Sequence, residues 1–152
     1  MEKRKYKIKL HQHAVEIIRK RTADTMLLIK NAQASANSEE KSSAGDKYET
    51  SRAMSHLEKD MYAKQLAANN RELAALLSID CDILYHSVMT GCVVNSNDIS
   101  FFIAAGLGKI TFEGRNIYFL SPGAPFAKIL LNKTAGDGFI FNNEPMIIEE
   151  IF

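Results

Sequence analysis

Two carboxylates, Asp46 and Glu49, stand three residues apart in Gly45-Asp46-Lys47-Tyr48-Glu49. On a helix that spacing lets both point the same way. Two chemistries suit such a pair. At a helix start, Asp46 as N-cap with Glu49 three residues on makes an acidic capping box worth about 1 kcal/mol. The helix dipole favours it further. As oxygen ligands, the same groups suit Mg²⁺, which takes one or two carboxylates and leaves its other positions to water and phosphate. The uses are compatible, because a capping carboxylate keeps spare lone pairs.

Other reactive side chains do not assemble. His11 and His13 are two apart and diverge on a helix, with no acid or thiol at ligand spacing. His56 and His86 are isolated, and no Ser-His-Asp or Cys-His arrangement is local. Gly106-x-Gly108 lacks the third glycine of a phosphate loop. Cys81 and Cys92 are too few for a disulfide framework or a four-thiolate zinc site. They read as thiols of a reducing compartment.

The net charge of +1 hides an asymmetry. Residues 1–79 carry 15 Lys/Arg and 10 Asp/Glu, while residues 80–152 carry 4 and 8, giving +5 and −4. The excess is front-loaded in Lys3, Arg4, Lys5, Lys7, Lys9, Arg19, Lys20 and Arg21, opposed only by Glu2 and Glu16. Such residues make either a solvated helix face or a contact with nucleic-acid phosphate whose strength falls with salt. No run of 18 apolar residues exists to make a transmembrane helix. The first ten residues lack the apolar core of a secretory signal, so the expected compartment is the cytoplasm.

These residues need positioning elements. One glycine, Gly45, precedes Gly91, and the first proline is Pro122, which predicts long helices. Apolar spacings of three, four and seven recur over Ile8, Leu10, Val15, Ile18, Met26 and Ile29, and again over Met54, Leu57, Met61, Leu66, Leu73 and Leu77. The expectation is an antiparallel coiled-coil hairpin over 1–79, turning at 37–46, with helices of roughly 33 residues and an arm about 50 Å long. The acidic tip falls at 39–50. Residues 79–87 read as a linker. From 88 onward, stretches 88–95, 99–105 and 110–120 are rich in Val, Ile, Phe and Tyr and read as strands. A tight hairpin is expected at Glu113-Gly114-Arg115-Asn116, a short helix at 125–131, and strands at 139–141 and 146–151 joined through Asn142-Asn143. The fold class is α+β, with a small antiparallel sheet and one covering helix over 80–152. Phe101, Phe102, Phe112, Tyr118, Phe119, Phe126, Phe139 and Phe141 should fill its core.

Two segments together carry a resemblance. The run Ile99 to Ile110, followed by Tyr118-Phe119-Leu120-Ser121-Pro122-Gly123-Ala124-Pro125-Phe126 and Lys133-Thr134-Ala135-Gly136-Asp137, is similar to the Ser-Pro-x-Ser/Ala-Pro helix and Lys-x-x-Gly-Asp turn of the Gre transcript-cleavage factors of bacterial RNA polymerase (GreA/GreB type). Gly45-Asp46-x-x-Glu49 resembles the acidic tip of the same family. The resemblance spans nearly the whole chain.

It implies an FKBP-like C-terminal domain that docks at the rim of the polymerase secondary channel. Ser121, Pro122, Pro125, Phe126, Gly136 and Asp137 are the docking candidates. The hairpin would pass down the channel so that Asp46 and Glu49 help hold an Mg²⁺ shared with the polymerase and orient water onto the 3′ end of backtracked nascent RNA. Lys3, Arg4, Lys5, Arg19, Lys20 and Arg21 are the RNA-contact candidates. The factor would be a monomer with no membrane partner, no stably bound cofactor and no nuclease activity alone, hence not itself an enzyme. The chain departs from the family at Thr50, where Asn is usual, and at Ser51-Arg52-Ala53, where Ala-Glu-Tyr is usual. Tyr48 also sets a bulky ring between the acids. These departures bear on cleavage, and the alternative is a noncatalytic secondary-channel regulator. A remoter alternative is an FKBP-like peptidyl-prolyl isomerase.

Overall fold

The structure, a computed structural model, describes residues 2–39 and 45–152, with the side chains of 36, 39, 45–48 and 51 outside the description. α1 runs Glu2–Glu39 and α2 runs Gly45–Leu77. With one glycine and no proline in this part of the chain, nothing interrupts either helix. The expected turn at 37–46 is helical up to Glu39 and from Gly45, and residues 40–44 lie outside the described residues. Packing divides the chain into two compact units, one of Met1–Glu16 with Glu72–Phe152 and one of Ile17–Arg71.

Among the described residues of Ile17–Arg71, the buried positions on α1 are Ile18, Thr25 and Ala32, seven residues apart, and α2 buries Ser55. Lys59 donates to Gln33, and the Thr22 and Thr25 hydroxyls donate to the carbonyls of Ile18 and Arg21 at 2.9 Å. The apolar stripe expected here holds at Ile18 and is corrected further along. Met26, Met54, Leu57 and Met61 are exposed, Leu57 by 69%. Each residue step turns a helix by about 100°, so Met26, one step past Thr25, leaves the line that Ile18, Thr25 and Ala32 define.

The other unit holds a five-stranded sheet of order β3-β4-β2-β1-β7 and a two-stranded β5-β6 sheet. The strands are β1 Val93–Ser96, β2 Ile99–Ile103, β3 Gly108–Phe112, β4 Arg115–Leu120, β5 Gly138–Phe141, β6 Glu144–Ile147 and β7 Glu150–Ile151, with α3 at Pro125–Leu130. The expected all-antiparallel sheet is corrected: β2 and β4 pair in parallel, Phe101 opposite Tyr118. The reason is the strand order. β3 lies outside β4 and returns through Glu113 and Gly114, both at positive φ, so β4 comes back beside β2 in the same direction. Two expected strands also shorten. Gly91 at φ +97 breaks 88–95 before β1. The run 146–151 leaves β6 at Ile148, whose N–H bonds to Asp137 O, and joins the other sheet as β7 against β1.

Phe101 sits at the centre of the core. Its ring meets Tyr118, Phe126, Phe139 and Phe141 at 5.2–5.8 Å between centroids. Behind it, Phe102 stacks on Phe119. The start of α1 buries Lys7, Leu10 and Ala14 in this unit.

Candidate functional site

The carboxylate pair lies on α2. Both Asp46 and Glu49 are inside the helix, about one turn apart, so Asp46 is not the non-helical residue that a capping box requires. Glu49 and Thr50 are exposed, and the Asp46 side chain lies outside the described residues. For Mg²⁺ this donor set suits a shared ion, since two carboxylates leave most of an octahedron to other oxygens. Among the described residues no group of three or more His, Cys, Asp or Glu is placed to hold a metal.

The basic segment divides by job. Lys3 pairs with Glu150, and Arg4 holds Asp82 at 2.6 Å. Lys7, counted with the solvated or phosphate-facing charges, is instead fully buried. Its ammonium donates to Ile83 O at 2.9 Å and sits 4.7 Å from the centre of the Tyr85 ring. Burial lowers the Lys7 pKa, against the opposing pull of Cys81, Cys92 and Asp80. Three of the cations are thus spent on the fold. Lys5, Arg19, Lys20 and Arg21 are exposed. His11 and His13 separate as expected: His11 Nε2 is 2.6 Å from Leu76 O, and the His13 ring lies 5.0 Å from that of Phe112.

The docking candidates also serve the fold. Phe126 packs its ring against Phe101, Phe139 and Phe141. Asp137 accepts from Thr134 N at 2.8 Å and Thr134 Oγ1 at 3.2 Å, closing a turn that Gly136 enters at φ +94. The Thr134 backbone bond holds the Asp137 carboxyl below its ordinary pKa. Ser121 O accepts from Ala124 N at 3.0 Å, ahead of α3. Pro122 and Pro125 are exposed, and Pro125 opens α3 where its missing N–H costs nothing.

The sequence reading missed a polar rail across the sheet. Arg115 donates to Ser100 Oγ at 2.6 Å and Ile99 O at 2.8 Å. Ser100 then donates to Asn95 Oδ1 at 2.6 Å, and Asn95 to Glu150 at 3.1 Å. Lys3 closes the end, and its bond is the main reason the Glu150 pKa is lowered. Lys3, Asn95, Arg115 and Glu150 border two hollows of about 660 and 320 Å³. The only signal in the sequence was polar residues inside strands, at Asn95, Ser100 and Arg115.

No family model, no curated protein and no solved structure matches the chain.

Roles for these residues therefore rest on their own chemistry and on the motifs. Tyr6 completes the surroundings of the rail, its ring against Phe112 and Phe152 and its pKa raised, chiefly by burial. Among the described residues no helix is long and apolar enough to cross a membrane.

Proposed function

We propose that this chain is a bacterial RNA polymerase-binding elongation factor that stimulates cleavage of backtracked RNA. The observation that carries the reading is Glu49, exposed three residues after Asp46 in the first turns of a 33-residue helix. In this reading α1 and α2 pair as an antiparallel coiled-coil hairpin and enter the secondary channel. The C-terminal, FKBP-like part docks at the rim through the region of Ser121, Pro122, Pro125, Phe126, Gly136 and Asp137. Asp46 and Glu49 donate carboxylate oxygens, and the polymerase and RNA phosphate complete the coordination. When bound there, Mg²⁺ supplies charge neutralisation and an activated water for phosphodiester hydrolysis. Lys3, Arg4, Lys5, Arg19, Lys20 and Arg21 are the candidates for RNA phosphate in this reading, Lys3 and Arg4 only on leaving Glu150 and Asp82. The chain acts as a monomeric accessory factor in the cytoplasm, without activity alone.

A second reading, a noncatalytic regulator with the same docking mode, is favoured by Thr50, Ser51 and the Tyr48 ring at the tip. One experiment separates the two. On a backtracked complex of the cognate polymerase, Asp46→Asn and Glu49→Gln should each retain binding. Cleavage should fall by at least the roughly 10–100-fold that weakening a metal site's supporting bonds costs. Wild type that binds and never shortens the transcript gives the regulator, and wild type that does not bind removes both.

A further inference from the structure

The register of the β5–β6 hairpin sets Phe139 opposite Met146 and Phe141 opposite Glu144, so these four side chains share one face. Phe139 is buried, Phe141 and Met146 are half-buried, and Glu144 is exposed. The five-stranded sheet answers with Ile99, Phe101 and Tyr118, since Ile99 stands two residues before Phe101 and Phe101 is the register partner of Tyr118. Between sheet and hairpin lies a hollow of about 330 Å³ whose half-buried walls are Ile99, Tyr118, Phe141 and Met146. The Tyr118 and Phe141 rings meet there at 5.0 Å between centroids and 69° between planes, as two sides of a corner. The exposed rim is Asn97, Asp98, Asn142 and Glu144.

Apolar walls with a few placed polar groups are the form of a small-ligand site. Here the polar groups are two carboxylates and two amides, with no cation among the bordering residues. Neither Asp98 nor Glu144 has a hydrogen-bond or ion-pair partner among the described residues, and Lys109, opposite Tyr118 on β3, does not border the hollow. The negative charge is therefore open to a cation from outside. A bare metal ion gains nothing from apolar walls, and among the described residues no third His, Cys, Asp or Glu joins the pair. An ammonium on an aliphatic stem uses every part of the hollow. The stem lies against Ile99 and Met146 while its charged head stays at the rim. The aromatic rings attract the cation, and its three N–H donors match the carboxylate and amide oxygens. We infer that this hollow binds a primary alkylammonium group, carried by a lysine side chain of another protein or by a free aliphatic amine.

The test follows the backbone amides of the full chain by NMR during titration with three probes. They are N-acetyl-lysine methylamide, putrescine, and N-acetyl-norleucine methylamide, which keeps an aliphatic stem and lacks the ammonium. One amine or both should give saturating shifts confined to residues 97–99, 118 and 141–146, and the norleucine compound should bind about tenfold more weakly. Asp98→Asn with Glu144→Gln should melt as wild type does, because both residues are exposed and have no internal partners. That pair should weaken amine binding by about the same factor, and added salt should weaken it in wild type. Tighter binding of the lysine compound assigns the hollow to a protein side chain, and tighter binding of putrescine assigns it to a free amine. If the double variant melts early, the norleucine comparison on wild type decides. The site is overturned by a norleucine compound that binds as well as the lysine one. Wild-type affinity in the folded double variant, or shifts that spread over the chain without saturating, would overturn it equally.

Discussion

The two units bury different mixtures of residues. In Met1–Glu16 with Glu72–Phe152, the interior is Phe101, Phe102, Phe119, Leu130 and Ile148, and polar groups are answered internally, as when Glu72 accepts from Gly106 N at 2.6 Å. In Ile17–Arg71, Ile18, Thr25, Ala32 and Ser55 are buried while Met54, Leu57 and Met61 face solvent. Apolar burial stabilises by about 25 cal/mol per Å², so most of that contribution belongs to the first unit. Met26, Leu27, Met54, Leu57 and Met61 of the helical unit are turned outward, where they add little to its own stability.

The largest test of that contrast is a pair of truncations. Phe101→Ala removes a fully buried ring with four aromatic neighbours and should cost about 3–5 kcal/mol. Leu57→Ser, at an exposed position, should stay within about 0.5 kcal/mol of wild type. Denaturant unfolding followed by circular dichroism measures both. Equal losses would mean that Leu57 is packed, and the contrast would fail.

Legibility in the sequence followed the same division. The sheet unit was readable because its turns carry local chemistry: Glu113-Gly114 and Asn142-Asn143 take the positive φ that tight hairpins need, and Pro125 opens α3. The parallel β2–β4 pairing was not readable, since strand order is set by long-range packing and the period of two is the same for either direction. In the helical unit, the apolar residues at three-and-four spacing marked a buried position at Ile18 but not at Met26, Met54, Leu57 or Met61, which are exposed. The buried line continues through Thr25 and Ala32, with Ser55 on α2, small residues that carry little hydrophobic signal. Lys7 was misread for a related reason: charge says where a side chain usually goes, and only Leu10 and Ala14, three and seven residues on, hinted at a buried face. The capping box expected at Asp46 and Glu49 is not formed, because α2 already includes Asp46, and helix limits depend on residues beyond the motif.

Lys7 gives the next prediction, a pH dependence confined to the sheet unit. Its folded pKa is lowered, mainly by burial, so the unfolded chain binds the proton more tightly. The resulting penalty is full below the folded pKa and is relieved as pH rises towards the ordinary lysine value of about 10.4. Tyr6, Cys81 and Cys92 have raised pKa values, each mainly through burial, and act with the opposite sign, losing stability as pH rises. Lys7→Met keeps those three groups and removes the amine. The stability of wild type relative to Lys7→Met should therefore increase as pH rises towards about 10.4, by urea midpoints. A flat difference would mean that Lys7 is solvated.

Glu150 gives the smallest effect, at the opposite end of the pH scale. Lys3 and Asn95 bond its carboxylate and lower its folded pKa. The stabilisation is present above the unfolded value of about 4.3 and is lost as pH falls through the folded one. Because the side chain is about a third exposed, at 36%, solvent screens the pair, and Glu150→Gln should cost only about 0.2–1 kcal/mol at pH 7. The glutamine can still accept from Asn95, so what is lost is the charge. Wild type should hold that advantage down to about pH 5 and surrender it in more acidic solution. An advantage that persists in acid would assign the effect to packing at β7 and detach Lys3 from the rail, leaving it with Lys5 as a cation open to phosphate.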